Sequence, residues 1–229
     1  MNEKATLPAA VLWDMDGTLI DSEPYWISAE IELTRSFGVE WTHEDGLTLV
    51  GKPLLYSAEL FRERGVDLDP EDIIDFLIER VTAQVRRETP WMDDARALLD
   101  SVVAAGIPCA LVTMSYSRLA DAVVSRVPDA FAVVVTGDQV THGKPHPEAY
   151  LTAAQRLGVP IERCVAIEDS PSGVGSLYTA GATTLGVRRL APLEARPGLS
   201  RVRSLDGMTA GTLARLLAGD VIDELGDEV

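Results

Sequence analysis

A short apolar stretch that ends in two carboxylates constrains the fold of this chain more than any other feature. Residues 9–13 read AAVLW, which is typical of a buried β-strand, and Asp14 and Asp16 follow one residue apart. Carboxylates at the carboxyl edge of a sheet lie where open α/β folds bind ligands. If the strand stays regular, both side chains point the same way and can share one cation. Because Asp-Gly is a common turn pair, an ordinary acidic turn at Gly17 is the structural alternative.

The composition limits the classes of protein that the chain can represent. Its 229 residues, 46% of them hydrophobic, suit one large domain or a core with a smaller insertion. The net charge is −16 and no stretch is strongly basic, so we expect no binding to nucleic acid or membranes. Residues 1–4 lack a signal core, and Cys109 and Cys164 adjoin apolar runs, as buried thiols of a reducing compartment do. We therefore predict a cytoplasmic protein.

Two kinds of hydrophobic pattern divide the chain. Between residues 23 and 90 the apolar residues recur at helical spacing and no strand is evident, so this segment is predicted to be a small helical module. Elsewhere apolar runs alternate with helical patterns, which indicates a parallel sheet covered on both faces. These runs lie at residues 109–113, 132–136, 164–169 and 183–187.

The predicted architecture is an α/β doubly wound, parallel-sheet (Rossmann-like) core that carries an inserted helical segment. The core comprises residues 1–22 and 91–229, and the insertion comprises residues 23–90. The acidic residues from about 219 to 229 are predicted to be a frayed tail.

Polar side chains follow several of these predicted strands. Because the carboxyl ends of parallel strands meet at one edge of a sheet, residues that are distant in sequence are expected to converge there. Besides Asp14 and Asp16, the candidates are Thr113, Met114 and Ser115 after the strand at 109–113, Lys144 in the loop GKPHP at 143–147, and Glu168 and Asp169.

The candidate side chains have complementary chemistry. Asp14, Asp16 and Asp169 supply the hard oxygen ligands that Mg²⁺ prefers. The Lys144 ammonium and the Thr113 hydroxyl are donors for a phosphate group. Three carboxylates alone would repel an anionic substrate, and a metal ion together with the lysine reverses that effect.

Other assignments remain open at some of these positions. Thr113 is also a residue type that commonly caps the following helix. His146 lies between two prolines, and we interpret it as shaping its loop. The three histidines, His43, His142 and His146, form no obvious metal cluster, and no Ser–His–acid or Cys–His nucleophile set is evident.

The four groups of residues resemble the motifs of the haloacid dehalogenase-like superfamily. Residues 14–22 (DMDGTLIDS) resemble its first motif, and Thr113, Lys144 and the pair Glu168-Asp169 match the second, third and fourth in order. Residues 143–148 (GKPHPE) and 168–174 (EDSPSGV) resemble the subgroup of β-phosphoglucomutase and small sugar-phosphate phosphatases. The resemblance spans roughly residues 9–190.

The resemblance implies a role for each residue. Asp14 would attack phosphorus to form an aspartyl-phosphate, and Asp16 would act as general acid and base, with its backbone carbonyl facing Mg²⁺. Dehalogenases of the family lack an acid at that second position. The implied metal set is Asp14, Asp16 and Asp169, with Glu168 a direct ligand or an indirect partner, and the implied phosphate set is Thr113, Met114, Ser115, Lys144 and Gly17.

The resemblance also makes the insertion a helical cap that closes over the site and selects the leaving group. Hinges are expected near residues 22–24 and 89–91. Lys52, in the loop at residues 50–53, is predicted either to contact substrate or to be a solvated surface lysine. The implied partner is a small phosphorylated metabolite, bound by a monomer or weak dimer.

Residues of the cap bear on the choice between reactions. Trp26 stands where mutases of the family usually carry a histidine, and Gly51-Lys52-Pro53 stands where they carry an arginine after the glycine. We therefore predict a Mg²⁺-dependent phosphatase of a small sugar or polyol phosphate. The alternatives are a sugar phosphomutase, a non-catalytic phospho-ligand-binding regulatory protein and, if Lys52 forms a Schiff base, a phosphonate hydrolase.

Overall fold

The computed structural model describes residues 6–226, which form a six-stranded parallel sheet in the order β3-β2-β1-β4-β5-β6. The first strand lies at its centre, between β2 and β4. This confirms the predicted fold class. The strands are β1 (Ala10–Trp13), β2 (Cys109–Val112), β3 (Val133–Val135), β4 (Cys164–Glu168), β5 (Thr183–Val187) and β6 (Ser200–Val202).

Helices cover both faces of the sheet and form the insertion after β1. Those of the insertion are α1 (Glu23–Ser36), α2 (His43–Leu47), α3 (Leu54–Glu63) and α4 (Pro70–Arg87). Those of the core are α5 (Asp93–Ala104), α6 (Ser117–Val124), α7 (Glu148–Leu157), α8 (Pro171–Ala180) and α9 (Ala210–Leu217). Among the described residues, no helix is both long enough and apolar enough to span a bilayer.

The central strands are apolar at every position because both faces of the sheet are buried. All four residues of β1 are inaccessible to solvent. Since side chains alternate along a strand, Val11 and Trp13 pack into one core cluster, whereas Ala10 and Leu12 pack into a second one on the opposite face.

The two connections to the insertion pair with each other. Ile20 forms an antiparallel bridge with Trp91, and the Asp21 N–H donates to the Pro90 carbonyl at 2.8 Å. Beyond this pairing, α4 packs against α1 and α3 and also against α6 of the core. The paired connections lie where hinges are expected, and the domain boundaries themselves stay a prediction.

The acidic segment near the end of the chain is not frayed, and the prediction for it was wrong as far as residue 226. The Arg201 N–H donates to the Ile222 carbonyl at 2.7 Å, and the Glu224 N–H donates to the Arg201 carbonyl at 2.8 Å. The buried Arg201 guanidinium also pairs with the Asp223 carboxylate at 2.8 Å. Because an unpaired buried charge is costly, this pairing favours an ordered segment around Asp223. Residues 227–229 and the first five residues, where a signal sequence was judged absent, lie outside the described residues.

Candidate active site

The candidate active site lies at the carboxyl edge of the sheet, where three neighbouring strands end. Asp14 follows β1, Thr113 follows β2, and Glu168 ends β4 with Asp169 directly after it. Lys144 reaches the same place from the loop before α7. The topology thus brings together residues that are up to 155 positions apart in the sequence.

Lys144 links the carboxylates of two strands. Its Nζ donates to Asp14 Oδ1 and to Glu168 Oε1, at 2.6 Å in both cases, and to the Val112 carbonyl at 3.1 Å. Burial of the ammonium lowers its pKa, but the carboxylates of Asp14 and Glu168 outweigh this effect and raise the pKa of Lys144 well above its ordinary value. The side chain therefore stays charged in a buried place.

Glu168 is fully buried and all its acceptor positions are occupied. Oε1 accepts from Lys144 Nζ and from the Tyr150 hydroxyl at 3.1 Å. Oε2 accepts from the N–H and the hydroxyl of Ser170, at 2.8 and 2.9 Å. A carboxylate offers about four such positions, so this one orients Lys144 and has none left for a metal ion. Of the two roles foreseen for Glu168, the geometry favours the indirect one.

Asp169 lies against the turn that follows the first motif. Its Oδ1 accepts from the Thr18 hydroxyl at 3.0 Å. Gly17 has a φ of +82°, and a Cβ there would lie 2.3 Å from Asp169 Oδ2, so only glycine fits. The Gly17 N–H donates to the Ile20 carbonyl at 2.8 Å. The phosphate contact foreseen for Gly17 does not fit this arrangement, because that donor is already used.

Asp16 is half-buried and accepts three hydroxyl hydrogen bonds. Ser22 donates to Oδ1 at 2.5 Å, while Ser115 and Thr113 donate to Oδ2 at 2.7 and 3.1 Å. The Thr113 hydroxyl also accepts from the Ser115 N–H at 2.9 Å. Thr113 does not cap α6, whose N-cap position is Tyr116. In this structure the two hydroxyls foreseen as phosphate donors orient Asp16.

Met114 and Lys52 are the two remaining residues that the sequence analysis predicted to contact phosphate or substrate, and neither side chain bonds to the carboxylates. The sulfur of Met114 accepts from the Lys144 N–H at 3.3 Å, and a Cβ on Gly137 would lie 2.2 Å from the Met114 carbonyl oxygen. Lys52 is exposed, and its Nζ lies 5.8 Å from the centre of the Tyr56 ring. The Lys52 ammonium forms no hydrogen bond or ion pair within the described part of the chain, so the structure does not bring this side chain to the carboxylates.

The buried carboxylates form a group that fits a divalent cation. Asp14 and Asp169 each offer an oxygen to such an ion, and an oxygen of Glu168, although already hydrogen-bonded, lies within 4.8 Å of both. Three carboxylates face one ammonium, which leaves surplus negative charge. Burial, followed by the Glu168 carboxylate, raises the pKa of Asp14 well above its ordinary value and that of Asp169 to about 8. Hard oxygen donors with surplus negative charge suit Mg²⁺.

Sequence reasoning missed several residues that support this cluster. Tyr150, on α7, carries no motif signal and looks like an ordinary core aromatic. Gly173 lies inside α8, and a Cβ there would lie 1.6 Å from Glu168 Oε1. A glycine inside a helix is the one signal that could have indicated this close approach. Ser22 and Thr18 lie within the first motif, but their contacts with Asp16 and Asp169 are not predictable from its pattern.

Comparisons with known proteins agree with the motifs. The family model described as haloacid dehalogenase-like hydrolase matches residues 8–181. A phosphorylated carbohydrates phosphatase of Thermotoga maritima is 34% identical over 181 residues, covering 75% of this chain and 81% of the relative. Hexitol phosphatase A of Escherichia coli is 34% identical over 215 residues, covering 92% and 96%.

The similarity to a solved structure agrees with the observed fold. CbbY from Rhodobacter sphaeroides, in complex with phosphate, has a TM-score of 0.80 and 27% identity, and the match covers 90% of this chain and 99% of that one. The predicted family and its enzyme class, a phosphoric monoester hydrolase, are thereby confirmed, and the roles of single residues stay predictions. The chain belongs to the haloacid dehalogenase-like hydrolases.

Proposed function

We propose that this protein is a Mg²⁺-dependent phosphatase that hydrolyses a small sugar or polyol phosphate through an aspartyl-phosphate on Asp14. The observation that carries the proposal is the placement of the Lys144 ammonium 2.6 Å from both Asp14 and Glu168, at the sheet edge where Asp16 also lies. This arrangement combines a nucleophile, a fixed positive charge and a second acid in one place.

Asp14 is the nucleophile in this proposal. Its Oδ1 is held by Lys144, and Oδ2 accepts no hydrogen bond from the described residues, so Oδ2 is the oxygen available for attack. The new bond joins Oδ2 to phosphorus, and the bond from phosphorus to the substrate alcohol breaks. Lys144 stabilises the charge on the transferring phosphoryl oxygens, and water then hydrolyses the acyl phosphate.

Asp16 is the general acid of the first half-reaction and the general base of the second in this proposal. It donates a proton to the departing alcohol and then accepts one from the attacking water. The hydroxyls of Ser22, Thr113 and Ser115 hold its two oxygens in place. An acid at this position suits an alkoxide leaving group, whereas a halide needs no proton.

The residues that would hold Mg²⁺ are Asp14, Asp169 and the backbone carbonyl of Asp16. The ion supplies positive charge that lets a phosphate approach three carboxylates. Glu168 takes part through Lys144, since its own oxygens are fully occupied.

The substrate class is supported by the relatives and by the cap. The matched relatives from Thermotoga maritima and Escherichia coli are described as phosphatases of phosphorylated carbohydrates and hexitols. Trp26 stands where mutases of the family usually carry a histidine. It is half-buried and packs against the core cluster, so this position supplies no imidazole for a mutase reaction. These observations favour hydrolysis over isomerisation.

The test is phosphate release from sugar, polyol and nucleotide monophosphates with Mg²⁺ or with a chelator. We expect Mg²⁺-dependent release from a sugar or polyol phosphate, and loss of at least about three orders of magnitude in Asp14→Asn. Asp100→Asn, which changes an exposed carboxylate on α5, is the matched control and should retain activity. Absence of release from every ester by folded protein would contradict the proposal, and conversion of a sugar 1-phosphate to its 6-phosphate faster than hydrolysis would favour the mutase.

A further inference from the structure

Two histidines and a glutamate converge on the surface, in the loop that joins β3 to α7. His142, His146 and Glu148 each offer one possible ligand atom, and these atoms all lie within 4.8 Å of one another. Glu148 Oε2 lies 2.9 Å from His142 Nδ1 and 3.9 Å from His146 Nδ1. The two imidazole rings are 4.6 Å apart at their centres. The sequence pattern does not indicate this group, because its third member is one of many acidic residues.

The glutamate of this group is fixed by backbone bonds, and both histidines contact it through Nδ1. His142 Nδ1 lies 2.9 Å from Glu148 Oε2, and His146 Nδ1 accepts from the Glu148 N–H at 3.3 Å, so a metal ion bound at these nitrogens replaces both contacts. Glu148 accepts backbone N–H bonds from Thr141 at 2.8 Å and from His142 at 3.0 Å, and the Thr141 bond holds the pKa of its carboxyl below the ordinary value. The side chains of His142 and His146 are 62% and 51% exposed. Ligand atoms around a tetrahedral Zn²⁺ lie roughly 3.3 Å apart, so the 2.9 Å pair must lengthen and the 3.9 Å pair must shorten, which are small adjustments for exposed imidazoles.

We propose that His142, His146 and Glu148 form a surface binding site for Zn²⁺, separate from the buried carboxylates. Two imidazoles and one carboxylate are a ligand set that Zn²⁺ and neighbouring transition metals prefer, with the fourth position open to water. Mg²⁺ prefers oxygen ligands alone, so the buried cluster and this surface site select different cations.

The site spans the loop that carries Lys144. His142 and His146 lie two residues to either side of Lys144, the His146 N–H donates to the Gly143 carbonyl at 3.0 Å, and the Ser176 hydroxyl donates to the His146 carbonyl at 2.8 Å. A bound ion adds a further link between the two ends of this loop, beyond the bonds that Glu148 already makes to Thr141 and His142.

The test is Zn²⁺ binding to the full chain, free of any histidine tag, by titration calorimetry at pH about 7.5, because metal ions compete with protons for their ligands. Saturating Mg²⁺ is present throughout, so that the carboxylate cluster is occupied. We expect binding in the wild type and a loss of affinity of at least about tenfold in His142→Ala and in His146→Ala. His43→Ala, which removes the exposed third histidine on α2, is the matched control and should bind as the wild type does.

Two further measurements make the result decisive. Co²⁺ in place of Zn²⁺ should give the strong visible absorption of a tetrahedral site in the wild type and in His43→Ala, and not in the other two variants. Thermal unfolding of each variant without zinc shows that it is folded. A wild-type Kd weaker than about 1 mM, or equal affinity in all variants, would overturn the proposal. So would Zn²⁺ binding that is lost only in Asp169→Asn, because the ion would then occupy the carboxylate cluster.

Discussion

Gly173 and Glu168 approach each other so closely that no side chain fits between them. A Cβ on Gly173 would lie 1.6 Å from Oε1 of Glu168, the oxygen that also holds Lys144 at 2.6 Å. Helix α8 therefore supports Lys144, the lysine proposed to stabilise the transferring phosphoryl group, through Gly173 and Glu168. The position of Lys144 therefore depends in part on Gly173, which is not among the residues proposed to bind substrate or metal ion.

We expect Gly173→Ala to lower kcat by at least about tenfold, because the added methyl group must displace Glu168 and with it Lys144. The measurement is steady-state phosphate release with the substrate that the screen identifies. Unfolding by urea should show lower stability as well, since the clash is with a buried carboxylate.

Gly175, two residues further along the same helix, is the matched control. A Cβ there would meet Pro145 at 3.6 Å, an ordinary van der Waals distance. Gly175→Ala should therefore keep its activity and gain up to about 1 kcal/mol from the better helix propensity of alanine. Equal activities in the two variants would show that the contact with Glu168 has no catalytic importance.

The role of Asp16 predicts a dependence on the leaving group. Asp16→Asn keeps one acceptor oxygen, enough for either Ser22 or Ser115 but not for both, and it cannot protonate an alkoxide. We expect kcat/KM to fall by about a hundredfold or more for a sugar phosphate. For an aryl phosphate, whose leaving group is far less basic, the fall should be much smaller.

The ratio kcat/KM is the informative measurement because it reports on formation of the phospho-enzyme and not on its hydrolysis. Ser22→Ala, which removes one donor to Asp16 and leaves the acid in place, is the comparison variant. It should slow both substrates to a similar extent. Equal losses for the two esters in Asp16→Asn would contradict the proton-donor role.

The sequence was sufficient to predict the sheet, apart from its last strand. The runs that become β1, β2, β4 and β5 are apolar because both faces of the sheet are covered. In contrast, β6 has only three residues, with Arg201 in the middle. Its burial depends on the Leu193 carbonyl and on Asp223, which are tertiary partners that no local pattern reveals. The wrong prediction of a frayed tail has the same origin.

The motifs predicted which residues meet at this edge of the sheet but not their hydrogen-bond partners. The positions of Asp14 and Lys144 follow from strand ends and loops. That Thr113 donates to Asp16, and that the Gly17 N–H is taken by Ile20, depends on the path of the turn after β1. The hydrophobic period and the spacing of the motifs predict which residues share an edge of the sheet, whereas tertiary geometry sets which donors and acceptors pair.

The surplus charge of the buried cluster predicts opposite effects of Asp169→Asn with and without Mg²⁺. In chelator at a pH above 8, where Asp169 is ionised, the variant removes one of three mutually repelling carboxylates and keeps an oxygen for Thr18. We expect its Tm to rise by about 2–4 °C for each kcal/mol of repulsion removed. Added Mg²⁺ should raise the Tm of the wild type, because the ion binds only the folded state, and should not raise that of the variant.

Asp100→Asn provides the control, as an exposed carboxylate that pairs with Arg96 on α5. It should show the wild-type response to Mg²⁺ and little change in chelator. A Tm for Asp169→Asn that falls in chelator would mean that the contact with Thr18 outweighs the repulsion, contrary to this argument.

A buried carboxyl in the helical insertion predicts a pH dependence of stability that is unrelated to catalysis. Glu30 on α1 is 5% exposed and accepts from the Trp41 indole at 3.1 Å. Burial raises its pKa from 4.5 to about 7, although the Trp41 bond lowers it. Since the folded protein binds this proton more tightly than the unfolded chain does, stability must fall as pH rises from about 4.5 to about 7.

Glu30→Gln removes this titration and keeps an acceptor for Trp41. The free energy of unfolding of the variant minus that of the wild type should therefore increase by about 2–3 kcal/mol from pH 5 to pH 8. Urea unfolding at several pH values measures it. Glu32→Gln, two residues along the same helix, changes an exposed glutamate paired with Arg80 at 2.9 Å, so its difference from the wild type should stay within about 1 kcal/mol across this range. If the difference in free energy of unfolding between Glu30→Gln and the wild type did not change with pH, Glu30 would ionise as freely in the folded protein as in water.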